Sequence, residues 1–389
     1  MNIAIIIPNL AGGGAERVAQ IVGDYYFTHG NNVYYFVFSK HQKQDYRVKG
    51  NVIYTNIESS MFDNTSLIGG LINLLFSSFE MRRLKSKYKI DTAISFMEAC
   101  NYINVLSRKR ERVITRVCTI LSERDDLHGF IYNKKLVKFF YSLADNVIVM
   151  SKYSLKEMSD NYRVPRKKLV IIPNPINEFK NENKPNITWN YGEKVVICVG
   201  RLVSVKQMDR VIRAFSYVNQ MDEHAKLIII GKGKLHDYLR RLRKKYSLES
   251  SVIFTGFVSN ISYYYKNARV FVMASKVEGF PNSMLEAMSY GLPVISTDSS
   301  GGGGEIIGKE RTECIRKIAY CKYGIITPQI QGKVRVNSEL SEQEIILGKA
   351  ILEVLTNDVV HDYYQKKSFQ RAKCFSIDRI MERYNRVIF

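Results

Sequence analysis

Cysteine is sparse in this chain and wrongly spaced for metal or disulfide work. The 389 residues hold six (Cys100, Cys118, Cys198, Cys314, Cys321, Cys374) and no C-x-x-C pair. That argues against a zinc site or a disulfide framework and for a reducing compartment. No apolar run approaches the roughly 20 residues that span a bilayer. The opening MNIAIIIPNL lacks a basic leader and breaks at Pro8, so a first strand is expected there rather than a signal peptide. The G-x-G-x-x-G fingerprint is missing too, because Arg17 stands where its last glycine would be, and this removes a dinucleotide dehydrogenase. No D-x-D follows a strand, and the nearest acidic pair is Asp125–Asp126, so no metal site is expected. Acidic residues are few, 37 against 58 Lys and Arg, and the formal net charge of +21 is shared almost evenly by the two halves. Such an excess suits an anionic partner, either nucleic acid or anionic lipid. The chain carries no recognised nucleic-acid motif, so no nucleic-acid partner is expected.

What the chain does have is a regular alternation of short apolar runs with helical patterns, as a parallel α/β architecture requires. Strands are expected at Ile3–Ile7, Val33–Phe38, Val52–Thr55, Thr92–Phe96, Val113–Arg116, Asn146–Met150 and Leu169–Ile172. A second set follows at Val195–Val199, Leu227–Ile230, Val252–Thr255, Val270–Ala274, Val294–Thr297 and Gly324–Ile326. Between the sets, Ile176–Gly192 is polar, rich in Asn and without periodicity, which marks an interdomain linker. Two domains result, over 1–178 and 193–374, joined by a linker over 179–192.

Glu278–Val294 (EGFPNSMLEAMSYGLPV) is the most informative stretch. It follows an apolar strand, so Glu278 is expected just past the strand's carboxyl end, where open α/β sheets bind ligands. Asn282 or Ser283 is a natural N-cap, and helix-forming residues run from there to Gly291. A helix start favours anions, whereas Glu278 and Glu286 are suited to accepting hydrogen bonds from hydroxyls. Sugars flanking a diphosphate present both needs at once. Upstream, the strand Val195–Val199 ends in Gly200–Arg201, with Lys206 five residues beyond and a helix at Met208–Tyr217. Arg201 and Lys206 flank one loop ahead of that helix, so both can reach one pocket, although taken alone they read as solvated surface charges. Neighbouring Arg210 reads as a surface charge. Gly12, Gly13 and Gly14 open a helix at Ala15–Gln20 and let backbone N–H groups approach an anion. Gly231 and Gly233 form a similar turn that reads as structural.

The stretch EGFPNSMLEAMSYGLPVIS resembles the E-x(7)-E signature of the retaining glycosyltransferases of family 4, which have the GT-B fold. Further segments match that family in order. They are AGGGAERVAQ, SERDD at Ser122–Asp126, IIPNPI at Ile171–Ile176, VGRLVSVKQMDRVIRAF at Val199–Phe215, LIIIGKG, VIFTGFV and FSIDRIMERYNRVIF. The resemblance covers nearly the whole chain. It implies two Rossmann-like parallel-sheet domains facing across a cleft, with a C-terminal helix (about 375–389) crossing back to the first. The run Arg311–Glu344 departs from the family's brief connection and receives no assignment.

The resemblance also implies roles. Glu278 would hold donor-sugar hydroxyls and Glu286 the ribose, while Arg201 and Lys206 would stabilise the leaving phosphates. Gly279, Phe280, Asn282 and Ser283 would line the donor, Phe257–Val258 would border the base, and Gly13 and Gly14 would face the diphosphate. The donor is a nucleotide sugar, with UDP favoured and GDP allowed, and neither cofactor nor metal is expected. On the acceptor side Glu123, Arg124, Asp125 and His128 lie in or beside the SERDD segment. Leu67–Leu84, running into Arg82, Arg83, Lys85, Lys87 and Lys89, and Phe130–Tyr141 with Lys134, Lys135 and Lys138, are basic, aromatic and helical in period. Such segments bind anionic membrane surfaces. A lipid-linked saccharide acceptor and a peripheral position on the cytoplasmic face of the membrane are therefore expected. Two rivals remain. A nucleotide-sugar epimerase would need an acid/base pair at the sugar ring, and a basic nucleic-acid-binding protein would need a motif the chain lacks.

Overall fold

A strand buried on both faces of a parallel sheet needs apolar side chains at successive positions, and the runs above supply them. In the computed structural model they build two parallel α/β sheets, one in each of two units. The structure describes residues 1–38, 46–58, 62, 67–123, 129–176, 191–309, 313–332 and 338–389, with Leu67 as backbone only. One unit comprises Met1–Asn177 with Ile377–Phe389, and the other Glu178–Ser376. Of the linker expected over 179–192, only Tyr191 and Gly192 fall within the described residues.

In the first unit the strands are Asn2–Ile7 (β1), Asn32–Val37 (β2), Asn51–Tyr54 (β3), Thr92–Phe96 (β4), Arg112–Arg116 (β5), Asn146–Val149 (β6) and Leu169–Ile171 (β7). They pair in parallel in the order β3-β2-β1-β4-β5-β6-β7. The helices are Gly14–Thr28 (α1), Leu67–Lys87 (α2), Glu98–Leu106 (α3), Lys134–Leu143 (α4) and Lys152–Lys156 (α5). Each expected strand is present, with its ends moved by no more than one residue.

The second unit has Val195–Val199 (β8), Lys226–Ile230 (β9), Val252–Gly256 (β10), Val270–Met273 (β11), Val277–Glu278 (β12), Val294–Thr297 (β13), Ser300–Gly301 (β14), Ala319–Cys321 (β15) and Gly324–Thr327 (β16). Its main sheet runs β10-β9-β8-β11-β13-β16-β15, and β12 pairs with β14 apart from it. The edge strand β15 folds back antiparallel on β16. Neither β12, β14 nor β15 is announced by an apolar run. The helices are Met208–Met221 (α6), His236–Lys245 (α7), Ile261–Asn267 (α8), Asn282–Ser289 (α9), Gly303–Ile307 (α10), Glu342–Thr356 (α11) and Asp358–Ala372 (α12).

The last helix, Ile377–Ile388 (α13), follows the second unit in sequence and belongs to the first. Tyr26 Oη donates to Asn385 Oδ1 at 2.8 Å, and the buried Arg116 donates to Tyr384 Oη at 2.6 Å and to Asn174 Oδ1 at 2.6 Å. Burial raises the Tyr384 phenol, which keeps its proton beside the guanidinium.

Two sequence expectations about basic helices change here. Lys85 is not a surface cation: it is 3 % exposed and bonds Glu111 at 2.8 Å and Asn104 Oδ1 at 2.7 Å. Burial lowers its ammonium to about 8 against the pull of Glu111. The Phe130–Tyr141 segment is not one helix. Phe130–Tyr132 is a 3-10 turn, Asn133 caps α4 by accepting from Lys135 N at 2.9 Å, and Phe130, Val137, Phe140 and Tyr141 enter the core. Its aromatics are mainly core residues. The α2 helix does the opposite, burying Leu74, Ser77, Ser78, Met81 and Lys85 while Ile68, Leu75, Phe76 and Phe79 stand in solvent.

Candidate functional site

Strand order reverses between β1 and β4 in the first sheet and between β8 and β11 in the second. Loops leaving neighbouring strands there run in opposite directions and open a crevice at the carboxyl ends. In the second sheet those loops carry Gly200–Gln207 and Ala274–Glu278, and the structure brings together two residues that the sequence separates widely. Lys206 Nζ lies 2.5 Å from Glu278 Oε1. Both side chains are largely buried, at 21 % and 10 % exposed. Ser275 Oγ donates to the same carboxylate oxygen at 2.6 Å, and Lys276 N donates to Val205 O at 2.8 Å, tying one loop to the other. The stem of Lys206 passes over Gly200, where an added Cβ would fall 3.7 Å from Lys206 Cδ. Arg201 projects into solvent at the end of β8.

Glu278 is held as strongly by its backbone. It lies in β12, which pairs with β14, and Gly302 N donates to Glu278 O at 3.0 Å. A Cβ on Gly302 would come within 2.5 Å of Gly279 O, so only glycine allows this approach. Phe280 is buried against Phe375, with ring centroids 5.5 Å apart. The expected N-cap is corrected. Neither Asn282 nor Ser283 caps α9; Pro281 holds that position and makes no side-chain cap hydrogen bond. Proline fixes its own φ, at −72° here, in the extended region an N-cap needs, so no capping side chain is required to set the chain's entry.

Glu286 sits one turn into α9, half-buried. Tyr265 Oη lies 3.3 Å from Glu286 Oε2 and 3.2 Å from Ser283 O. Burial first, and then the Glu286 carboxylate, push the Tyr265 phenol well up, so it remains a donor. Val258 is half-buried past the end of β10, beside an exposed Phe257. Gly231 and Gly233 are structural, as expected: a Cβ on Gly231 would lie 2.0 Å from Gly200 O and one on Gly233 2.4 Å from Leu202 O. Arg210 departs from expectation. It is buried and bonds Glu344 Oε1 at 2.9 Å, so it is no surface charge.

In the first unit Gly13 precedes α1 and Gly14 begins it. A Cβ on Gly13 would fall 2.0 Å from Glu16 Oε2, so the Glu16 carboxylate folds back over the glycine loop. The protein's own negative charge thus stands at that helix start. Glu123 accepts from Tyr153 Oη at 3.0 Å. Arg124, Asp125 and His128 lie outside the described residues. Preceding them, Ser122 donates from N and Oγ to the buried Glu157, at 2.7 and 2.9 Å.

Sequence reasoning missed Ser275, Tyr265 and the Gly301–Gly304 run. The four glycines just past β13 were the available signal, since a strand's carboxyl end is where close backbone approach is needed. Among the described residues no group of three His, Cys, Asp or Glu is placed to hold a metal ion. The second unit therefore offers a cation and a carboxylate, braced by a hydroxyl, between a helix start and a second acid.

Comparison with known proteins matches both units. A family described as "Glycosyltransferase Family 4" matches residues 12–178, and "Glycosyl transferases group 1" matches 179–317. An uncharacterized glycosyltransferase of Methanocaldococcus jannaschii is 31 % identical over 274 residues, covering 66 % of this chain and 67 % of that one. The N-acetylgalactosamine-N,N'-diacetylbacillosaminyl-diphospho-undecaprenol 4-alpha-N-acetylgalactosaminyltransferase of Campylobacter jejuni is 27 % identical, covering 96 % and 95 %. Among solved structures, HepE of Anabaena in complex with UDP superposes with a TM-score of 0.72 at 16 % identity, covering 100 % and 99 %.

Proposed function

Because the chain belongs to glycosyltransferase family 4, with the GT-B fold, we propose that it transfers a hexose or N-acetylhexosamine with retention from a nucleoside-diphosphate sugar to a growing surface glycan. UDP is the favoured leaving group; HepE, of the same fold, is known with UDP bound. The observation that carries this reading is the Lys206–Glu278 pair at the strand-order reversal. As the glycosidic bond breaks, charge builds up on the diphosphate and leaves the sugar ring oxocarbenium-like. Lys206 and the exposed Arg201 supply fixed positive charge to the phosphates without a metal. Glu278 accepts hydrogen bonds from sugar hydroxyls and Glu286 from the ribose, while the start of α9 and Gly279, Phe280, Asn282 and Ser283 line the donor. Val258 borders the base. Gly13 and Gly14 serve the donor diphosphate, and Glu123, Arg124, Asp125 and His128 form the acceptor side.

The acceptor in this reading is a polyprenyl-diphosphate-linked saccharide, the kind of acceptor named for the Campylobacter relative. The surface of α2 supports a membrane position. Ile68, Leu71, Ile72, Leu75, Phe76 and Phe79 form one exposed stripe at helical spacing, and it runs on into the exposed Arg82 and Arg83. Elsewhere in the first unit a hollow of about 570 Å³ is lined by Arg108, Lys109, Arg110 and Arg112, whose neighbouring acids Glu111 and Asp145 are already paired with Lys85 and Arg108. Cations beside an apolar stripe fit the anionic cytoplasmic face of a membrane. The test is a panel of UDP- and GDP-sugars screened for binding and slow donor hydrolysis, then for transfer to polyprenyl-diphosphate saccharides. Failure of every nucleotide sugar to bind would overturn the reading.

A further inference from the structure

Gln207 stands between Lys206 and the first turn of α6, and its backbone is left-handed, φ 46° and ψ 43°. Side chains other than Gly, Asn and Asp enter that region rarely. What holds Gln207 there is visible at both ends of its amide. Nε2 donates to Ile330 O at 3.2 Å, and Oε1 accepts from Gln329 Nε2 at 3.3 Å.

The stretch that grips Gln207 is itself anchored to α6. Arg210 donates to Gln331 O at 3.2 Å, to Gly332 O at 2.6 Å and to Glu344 Oε1 at 2.9 Å. One turn on, Arg213 donates to the same carboxylate from Nε at 2.7 Å and to Glu339 O at 2.6 Å. Glu344 is fully buried and closes a capping box with Ser341 at the start of α11. Residues 329–332 and 338–344, which the sequence left without a role, thus form a brace across the beginning of α6. Among the described residues, the Gln207 side chain bonds it to the loop Gly200–Gln207.

We infer that Gln207 is a positioning residue for Lys206. Lys206 ends a 3-10 turn, and Gln207 N closes that turn on Ser204 O at 3.1 Å. Fixing the Gln207 amide fixes the peptide plane after Lys206, and with it the direction in which the lysine stem leaves the chain toward Glu278. A long flexible cation held in one direction loses less freedom when it meets a phosphate than one that must be gathered from solution. Gln207 touches no substrate in this role. It acts through Lys206, and so it rests on the reading of Lys206 as a donor-phosphate group.

The test is a cycle of Gln207→Gly, Lys206→Ala and the double variant in the full chain, titrated with whichever of UDP and GDP binds the parent. Glycine enters the left-handed region freely, so Gln207→Gly removes the clamp without backbone strain and should melt no lower than the parent. It should nevertheless weaken nucleotide binding about fivefold, the scale of coupling between residues sharing a network. In the Lys206→Ala background the same change should add nothing. Gln207→Asn, which tolerates the same backbone but is one methylene short of Ile330, should repeat the pattern. Parental affinity in both Gln207 variants, or an equal loss with and without Lys206, overturns the inference. Parental affinity in Lys206→Ala alone overturns instead the site reading beneath it.

Discussion

Lys206 Nζ and Glu278 Oε1 meet at 2.5 Å from loops that leave neighbouring parallel strands, 72 positions apart in the chain. The two meet in a largely buried place, so the contact is in position before any donor arrives. A ligand bringing phosphate to the cation and hydroxyls to the carboxylate can replace this contact on both sides at once.

Glu278→Gln should therefore fold normally and lose roughly ten- to a hundredfold in turnover, since a charge-assisted hydrogen bond contributes about 1.5–3 kcal/mol. Glu286→Gln should act mainly on nucleotide affinity, because Tyr265 still has Ser283 O to bond. Steady-state kinetics on both variants, with melting curves to show intact folding, distinguish the two effects. Parental kinetics in both would remove these acids from the site.

Transfer should persist in excess EDTA, with Arg201 and Lys206 in place of a metal. Arg201→Ala should lose at least tenfold in rate, while Arg240→Ala or Arg241→Ala on the exposed side of α7 should lose little. Arg210 cannot serve as the control, because its loss would strip the buried Glu344 of a partner. Activity abolished by EDTA and restored by magnesium or manganese would contradict this.

Phe76 and Phe79 are 75 % and 76 % exposed, so replacing both by Ser should leave stability unchanged. If α2 lies in a membrane surface, the double change should weaken vesicle binding by at least about a hundredfold, since burying each ring contributes about 1.5–3 kcal/mol. Arg82→Glu with Arg83→Glu should remove the preference for anionic over neutral vesicles, at about 1 kcal/mol per cation. Donor hydrolysis should survive all these changes. Lys85→Glu should unfold the first unit, as it places two carboxylates in one buried site. Sedimentation with liposomes reads the outcome, and equal recovery of parent and variants would leave α2 an ordinary surface helix.

Acid should loosen the brace on α6. Burial alone would raise the Glu344 carboxyl, but Arg213, the Ser341 N–H and Arg210 outweigh it and hold it below its ordinary 4.5. A carboxyl depressed in the folded state binds fewer protons there than in the unfolded chain. Its contribution is complete above about 4.5 and fades as pH falls through the folded value. Melting curves between pH 3 and 7 should show a stability loss in acid that Glu344→Gln makes shallower. The variant should also start lower at neutral pH, by about 3–5 kcal/mol, because two arginines lose their buried partner. Parallel acid profiles would contradict this.

Most of the fold was legible because strands buried on both faces write themselves as unbroken apolar runs, Thr92–Phe96 and Val195–Val199 among them. The pair β12–β14 and the edge strand β15 escaped because two- and three-residue strands leave no such run. At the site the types and spacing of Arg201, Lys206, Glu278 and Glu286 were readable, since each follows a strand or opens a helix. Ser275 and Tyr265 were not, because a hydroxyl aimed at a carboxylate has no local signature. The face of α2 was undecidable for a related reason. Its buried stripe includes Ser78 and Lys85 and its exposed one Phe76 and Phe79, the reverse of what hydropathy expects.

The placement of α13 also sets an order of events during synthesis. Arg116 and Tyr26 wait for Tyr384 and Asn385, which leave the ribosome only after the entire second unit. At about 5–20 residues per second, the intervening stretch of about 200 residues takes about 10–40 s to make. For that interval the first sheet stands without its closing helix, so the half of the protein that is translated first is the half that is finished last.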